Sequence, residues 1–221
     1  MHLSSGFARP TSIARAVLLV ACVVSAPARA GDLNDVREFR VGMPVAQLPA
    51  TGYADFACVA APGTKLSGWS EYKTCQADQA GRHEVGFRYD DADNPMARIN
   101  ADYVGTKIGG HPVLISLLIG DDARLDAIRI DTDPHARFYL RKKAFLLADQ
   151  VKTRYGEAGW VCKEGAPTAE QQPIGGVFIK EHCEKTTAIR HIVLDHELYR
   201  NPDAGPRNFV GGTQLLIERA G

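Results

Sequence analysis

The sequence predicts an α+β fold: antiparallel β-sheet with one long helix and short N-terminal helices packed on it, stapled by two disulfides. Three observations carry this reading. Short runs rich in Ile, Leu and Val recur along the chain, alternating with polar residues and separated by Gly, Pro and Asp turn signals. One stretch only, residues 133–156, carries a helical period of useful length. Four cysteines follow the first thirty residues, and each sequential pair brackets a turn-rich segment.

Residues 1–30 read as a secretory signal peptide. Arg9 and Arg15 precede the apolar run Ala16 to Ala26, and Ala28-x-Ala30 offers a cleavage site before Gly31. The run is too short to span a bilayer, which takes roughly 20 residues. Leu19-Val20-Ala21-Cys22 also fits a lipoprotein cut with an anchor on Cys22. The apolar run continues through Val23 and Val24, however, which favours soluble export. The expected location is the periplasm. The leader holds Arg9, Arg15 and Arg29 and no acid, so of 26 basic residues 23 remain against 26 acidic ones. That balance gives no electrostatic reason to bind nucleic acid or an anionic membrane, and no later segment is apolar enough to span one.

In an exported chain, Cys58, Cys75, Cys162 and Cys183 read as two disulfides, for which three connectivities exist. Cys58–Cys75 and Cys162–Cys183 are expected, since each pair flanks a turn between strand-like runs. Each closure is worth about 3 kcal/mol on the chain-entropy model.

Two halves are expected, residues 31–90 and 91–221, which together can still form one continuous domain. In the first, Asp32 to Phe39 and the segment opened by Gly42-Met43-Pro44 read as short helical turns. Phe56 to Ala60, Glu71 to Gln76 and His83 to Tyr89 read as a three-strand meander. This order resembles that of small outer-membrane assembly lipoproteins, a likeness that assigns no residue a role. In the second half, Pro112 to Ile119 and Leu125 to Thr132 form a hairpin around Gly120-Asp121-Asp122. Asp133-Pro134 then opens the long helix, which Gly156 ends. Leu140, Ala144, Leu147, Val151 and Tyr155 form its sheet-facing stripe. Val177 to Glu184, Ile189 to Asp195 and Thr213 to Glu218 are three further strands.

Chemistry-bearing residues are few. The serines past the leader are Ser67, Ser70 and Ser116, with no Gly-x-Ser-x-Gly elbow, so a serine hydrolase is not expected. His182, His191 and Asp195 on neighbouring strands supply metal-type side chains, zinc being the ion for such a set. Asp90, Asp91 and Asp93 crowd one loop, and Asp121, Asp122 and Asp126 another, as calcium or a lanthanide would require. Pro95 and Ala97 break the EF-hand pattern. Phe138 and Phe145, with Arg141 and Lys142 beside them, lie off the stripe as a partner-binding candidate. Taken together, the residues favour an exported accessory or binding protein without catalytic activity or a required cofactor, acting on an envelope protein or small ligand. The alternatives are a cation-binding protein using the Asp loops and a metal-dependent enzyme using His182, His191 and Asp195.

Overall fold

The computed structural model describes residues 34–91, 105–201 and 209–220. The expected leader and Asp93 lie outside them. The described residues form nine antiparallel strands: β1 (Tyr53–Cys58), β2 (Arg82–Tyr89), β3 (Lys107–Ile108), β4 (His111–Gly120), β5 (Leu125–Thr132), β6 (Val161–Glu164), β7 (Ile179–Thr186), β8 (Arg190–Tyr199) and β9 (Val210–Arg219). Their order is β1-β2-β4-β5-β9-β8-β7-β6, with β3 paired to β4 alone. Two four-strand meanders therefore meet at their last strands, β5 and β9. The sheet runs unbroken past residue 90, because β2 pairs with β4.

The register explains the core. One row of opposed residues runs Phe87, Ile115, Ile130, Leu215, Leu194, Cys183 and Cys162. The next runs Cys58, Val85, Leu117, Ile128, Ile217, Ile192 and Lys185. All but Cys162 and Lys185 are buried. Burying aliphatic side chains is worth about 1.5–3 kcal/mol each, so these two rows supply most of the apolar driving force for the sheet. Both expected disulfides are present. Cys58 ends one row on edge strand β1, bonded to Cys75, and Cys162–Cys183 ties edge strand β6 to β7. The edges are blunted in other ways. β1 carries a bulge between Ala54 and Ala57, where Asp55 adopts a positive φ, and β6 is four exposed residues.

One face of the sheet is covered by two segments, one preceding each meander. Before β1, Val36 and Phe39 close a tight turn and Val45–Gln47 makes one 3-10 turn. The expected short N-terminal helices reduce to that single turn. Glu71 to Gln76 is likewise part of a 3-10 helix, Trp69–Thr74, rather than a strand. Trp69, Tyr72 and Cys75 are all buried, and a spacing of three puts them on one side of a 3-10 turn. Trp69 packs between Phe56 and Phe87, with ring centroids 4.6 and 4.9 Å away.

Before β6, the expected long helix is broken into α1 (Phe138–Arg141), a 3-10 turn (Ala144–Leu146) and α2 (Leu147–Tyr155). Asp133 accepts from the His135 N–H at 2.8 Å, so it closes a local turn instead of capping a helix. The Thr213 hydroxyl, on fully buried β9 backbone, donates to the Ala144 carbonyl at 2.9 Å and pins the 3-10 turn to the sheet. Of the expected stripe, Ala144, Leu147 and Val151 are buried and Leu140 and Tyr155 are half-buried. Gly156 ends α2 as expected, with a φ of +86° that L side chains rarely adopt. Lys185 completes that end, its ammonium donating to the carbonyls of Tyr155, Gly156 and Ala158 at 2.5, 2.8 and 2.7 Å.

Asp35 links the two covering segments. Its carboxylate is buried, accepts from the Val41 N–H at 2.9 Å and from the Tyr155 hydroxyl at 3.4 Å, and pairs with Arg190 of β8. Removing either partner breaks a buried ion pair, so Asp35→Asn and Arg190→Met should each cost about 3–5 kcal/mol in chemical denaturation. The double variant should cost clearly less than the sum of the two. Lys185→Met, which strips three carbonyls of an ammonium, should cost about 1.5–3 kcal/mol by the same measurement.

Candidate functional site

The face of the sheet opposite the described helices and turns carries most of the chemistry-bearing side chains. Alternation along β8 sends Ile192, Leu194 and His196 inward and leaves His191, Val193, Asp195 and Glu197 on the open side. The register sets three open rows side by side. Glu218, His191 and Thr186 share one, Leu216, Val193 and Glu184 the next, and Gln214, Asp195 and His182 the third.

These rows build a charged rail. Arg82 donates to Glu218 at 2.7 Å, reaching across β4 and β5. Glu218 lies 3.3 Å from His191 Nδ1, and His191 Nε2 lies 3.4 Å from Glu184. The other Glu184 oxygen is 3.0 Å from His182 Nε2, and His182 Nδ1 is 2.7 Å from Asp195. His182 thus faces a carboxylate at each ring nitrogen, which both N–H groups satisfy only as imidazolium. Glu184 and Asp195 raise its pKa above the ordinary 6.5. Reciprocally, His182 and then His191 hold Glu184 below 4.5.

The expected set His182, His191 and Asp195 is brought together only in part. His182 meets Asp195 directly, but His191 lies two rows away, about 13 Å along the strands at 3.3 Å per residue. Glu184 fills the row between them. Neither Glu184 nor Glu218 stood out in the sequence, although Glu184 is two residues from His182 and so shares its face. Among the described residues, the one convergent trio of metal-type side chains is Cys162, Glu181 and Cys183. Its sulfurs are bonded to each other, whereas a metal takes thiolates.

The acidic loops are engaged within the chain. Asp91 accepts from the Gly105 N–H at 2.7 Å, and Asp90 also has a partner. Asp121 lies 3.3 Å from His83 Nε2. Arg219 spans Asp122 and Asp126 at 3.4 and 2.9 Å. Burial raises the Asp126 carboxyl above 3.8, with Asp122 adding to the effect and Arg219 opposing it. On the covered side, Phe138 packs edge-on to Phe209 at 5.5 Å. The Arg141 guanidinium lies 5.4 Å from the Phe209 ring, and the Lys142 ammonium lies 4.6 Å from the Phe138 ring. That aromatic pair is already occupied internally, and Phe145 is half-buried.

The open face also holds a groove of about 510 Å³ over β2 and β4. Val59 and Leu114 flank it, 43% and 52% exposed. Gly86 and Ser116 form its floor, Gly86 with no side chain to fill it. Glu84 accepts from the Ser116 hydroxyl at 2.6 Å and from Arg129 Nε at 2.9 Å, which fixes the charged wall beside Asp131. Burial raises the Asp131 carboxyl above 3.8, with Arg129 opposing.

The rail has a definite pH signature. His182 contributes stability fully below its unfolded pKa, and that contribution is lost as pH rises through its higher folded value. Glu184 loses its contribution as pH falls through its depressed value. The melting temperature should therefore fall from neutral pH upward, over a range starting near 6.5. In His182→Gln that alkaline limb should flatten. No protein-family model, curated protein or solved structure matches the chain.

Proposed function

We propose that this is an exported periplasmic accessory protein without catalytic activity, which docks the open face of its sheet on another protein of the envelope. One observation carries the reading: among the described residues, the helices and turns cover a single face of the sheet, and the other face is prepared but uncovered. That face interleaves charges of both signs with Val59, Leu114, Val193 and Leu216. Mixed charge around apolar points suits a protein surface, where nucleic acid would call for a basic patch.

The prearranged rail lowers the entropy lost on docking, because Arg82, Glu218, His191, Glu184, His182 and Asp195 already hold one another. The groove would take an apolar side chain between Val59 and Leu114, with Arg129 and Asp131 reading polar groups beside it. Ser67 is bonded to Glu71 and Ser116 to Glu84, and neither lies beside a histidine pair. The leader and the two disulfides support export to an oxidising compartment. Among the described residues, no helix is long and apolar enough to cross a membrane.

Cross-linking in intact cells tests the proposal. A specific envelope protein should be captured by the wild type. It should be lost by at least about tenfold, a change of 1.4 kcal/mol, in Leu114→Arg and Val59→Asp, and kept in Leu146→Asp on the covered side. Equal capture by the groove variants, or no capture by the wild type, would overturn it.

A further inference from the structure

The covered face has a concavity of its own. A cleft of about 520 Å³ lies between residues 35–37 and α2, within the range of about 300–1,000 Å³ typical of small-molecule sites. Ile130 of β5 with Leu215 and Ile217 of β9 form its floor, and Leu147 and Val151 of α2 form one wall. All five are buried with no polar atom in their side chains.

The rim has the opposite character. Arg37, Lys107 and Arg154 bring three cations to the opening. The acid among the lining residues is Asp35, already neutralised by Arg190. Glu38, 3.7 Å from Arg37, is hydrogen-bonded by Tyr53. Arg154 donates to the Asn34 carbonyl at 2.6 Å, and Arg37 lies over the Tyr89 ring at 4.4 Å. The Lys107 ammonium makes no hydrogen bond or ion pair among the described residues. The Tyr89 hydroxyl, also part of the lining, is buried and has no hydrogen-bond partner among the described residues. Buried polar groups are nearly always satisfied, so this hydroxyl and the unpaired ammonium are what a ligand would complete. Desolvation pushes the Tyr89 pKa up to about 12, which keeps the hydroxyl a donor near neutral pH.

We propose that this cleft binds a small amphipathic anion, its hydrocarbon body on Ile130, Leu215 and Ile217 and its single anionic head taken by Lys107, Arg37 and the Tyr89 hydroxyl. A free fatty carboxylate and a monoacyl phosphate from lipid share that chemistry. The site lies on the opposite face from the docking surface, so either reading can fail alone.

Calorimetric titration of the processed protein with four twelve-carbon probes below their micellar concentrations tests it. The probes are dodecanoate, monododecyl phosphate, dodecanol and dodecyltrimethylammonium. At least one anion should bind at a single site, at least about tenfold more tightly than the alcohol or the cation. Preference between the two anions distinguishes fatty acid from phosphate lipid. Lys107→Glu should weaken anion binding at least about tenfold and leave dodecanol unchanged. Lys107→Gln, which keeps the size of the rim, should show a smaller loss in the same direction. Leu114→Arg should bind like the wild type. No binding of either anion, equal binding of all four probes, or undiminished anion binding by both Lys107 variants would overturn the proposal.

Discussion

The buried pair of Asp35 and Arg190 is the constraint on which the covered face depends. The segment around Asp35 has little regular hydrogen bonding of its own, only a tight turn closed between Val36 and Phe39. A carboxylate taken out of water is tolerable only with its lone pairs satisfied. Here the Val41 N–H, the Tyr155 hydroxyl and the Arg190 guanidinium do this. Each donor comes from a different part of the chain: the segment itself, the end of α2 and the start of β8. Asp35 therefore fixes where the first covering segment lies, and with it where Phe39 enters the aromatic cluster against Tyr53 and Phe87.

The sheet shows a division of labour between covalent and non-covalent terms. Its central strands β4, β5, β9 and β8 hold the continuous apolar rows and need no further fastening. The outermost strands have a neighbour on one side only, and there the disulfides sit. β6 is too short and too exposed to stay paired by burial, so its bond to Cys183 of β7 replaces what packing does elsewhere. Cys58–Cys75 does the same at β1, where the bulge interrupts the ladder. The same bonds that close loops in the unfolded chain thus protect the edges at which a large sheet is open to unwanted pairing.

What the sequence revealed follows from how local each signal was. Pro112 to Ile119 and Leu125 to Thr132 announced β4 and β5, since strand patterning and the Gly120-Asp121-Asp122 turn agree. The cysteine pairing was legible for a similar reason, each pair lying within one meander. The long helix was misread because its periodicity continues through Leu140, Ala144 and Leu147, although the backbone breaks between α1 and α2. The tie that holds this break in place, Thr213 to Ala144, comes from 69 residues away and leaves no trace in the local pattern. Glu71 to Gln76 failed differently: Trp69, Tyr72 and Cys75 recur at three, a period close enough to an irregular strand to pass for one. At the open face, the histidines were visible, but Glu184 and Glu218 acquire meaning only through the register of β7, β8 and β9.

The existence of two candidate sites on opposite faces follows from the topology. Each meander carries its own cover, residues 35–48 before the first and 138–155 before the second. The meanders join where β5 pairs with β9, and over that seam the covers are tied at one end, by Tyr155 to Asp35 and by Arg154 to the Asn34 carbonyl. A gap above Ile130, Leu215 and Ile217 is the geometric result, and the cleft occupies it. On the opposite face the seam has no such gap, because Arg82 reaches over the row of Leu118 and Ala127 to Glu218 and both residues are buried beneath it. One join in the sheet thus leaves an apolar hollow with a cationic rim on one side and a continuous charged surface on the other. The two faces present different chemistry to different classes of ligand, although the same strands form both.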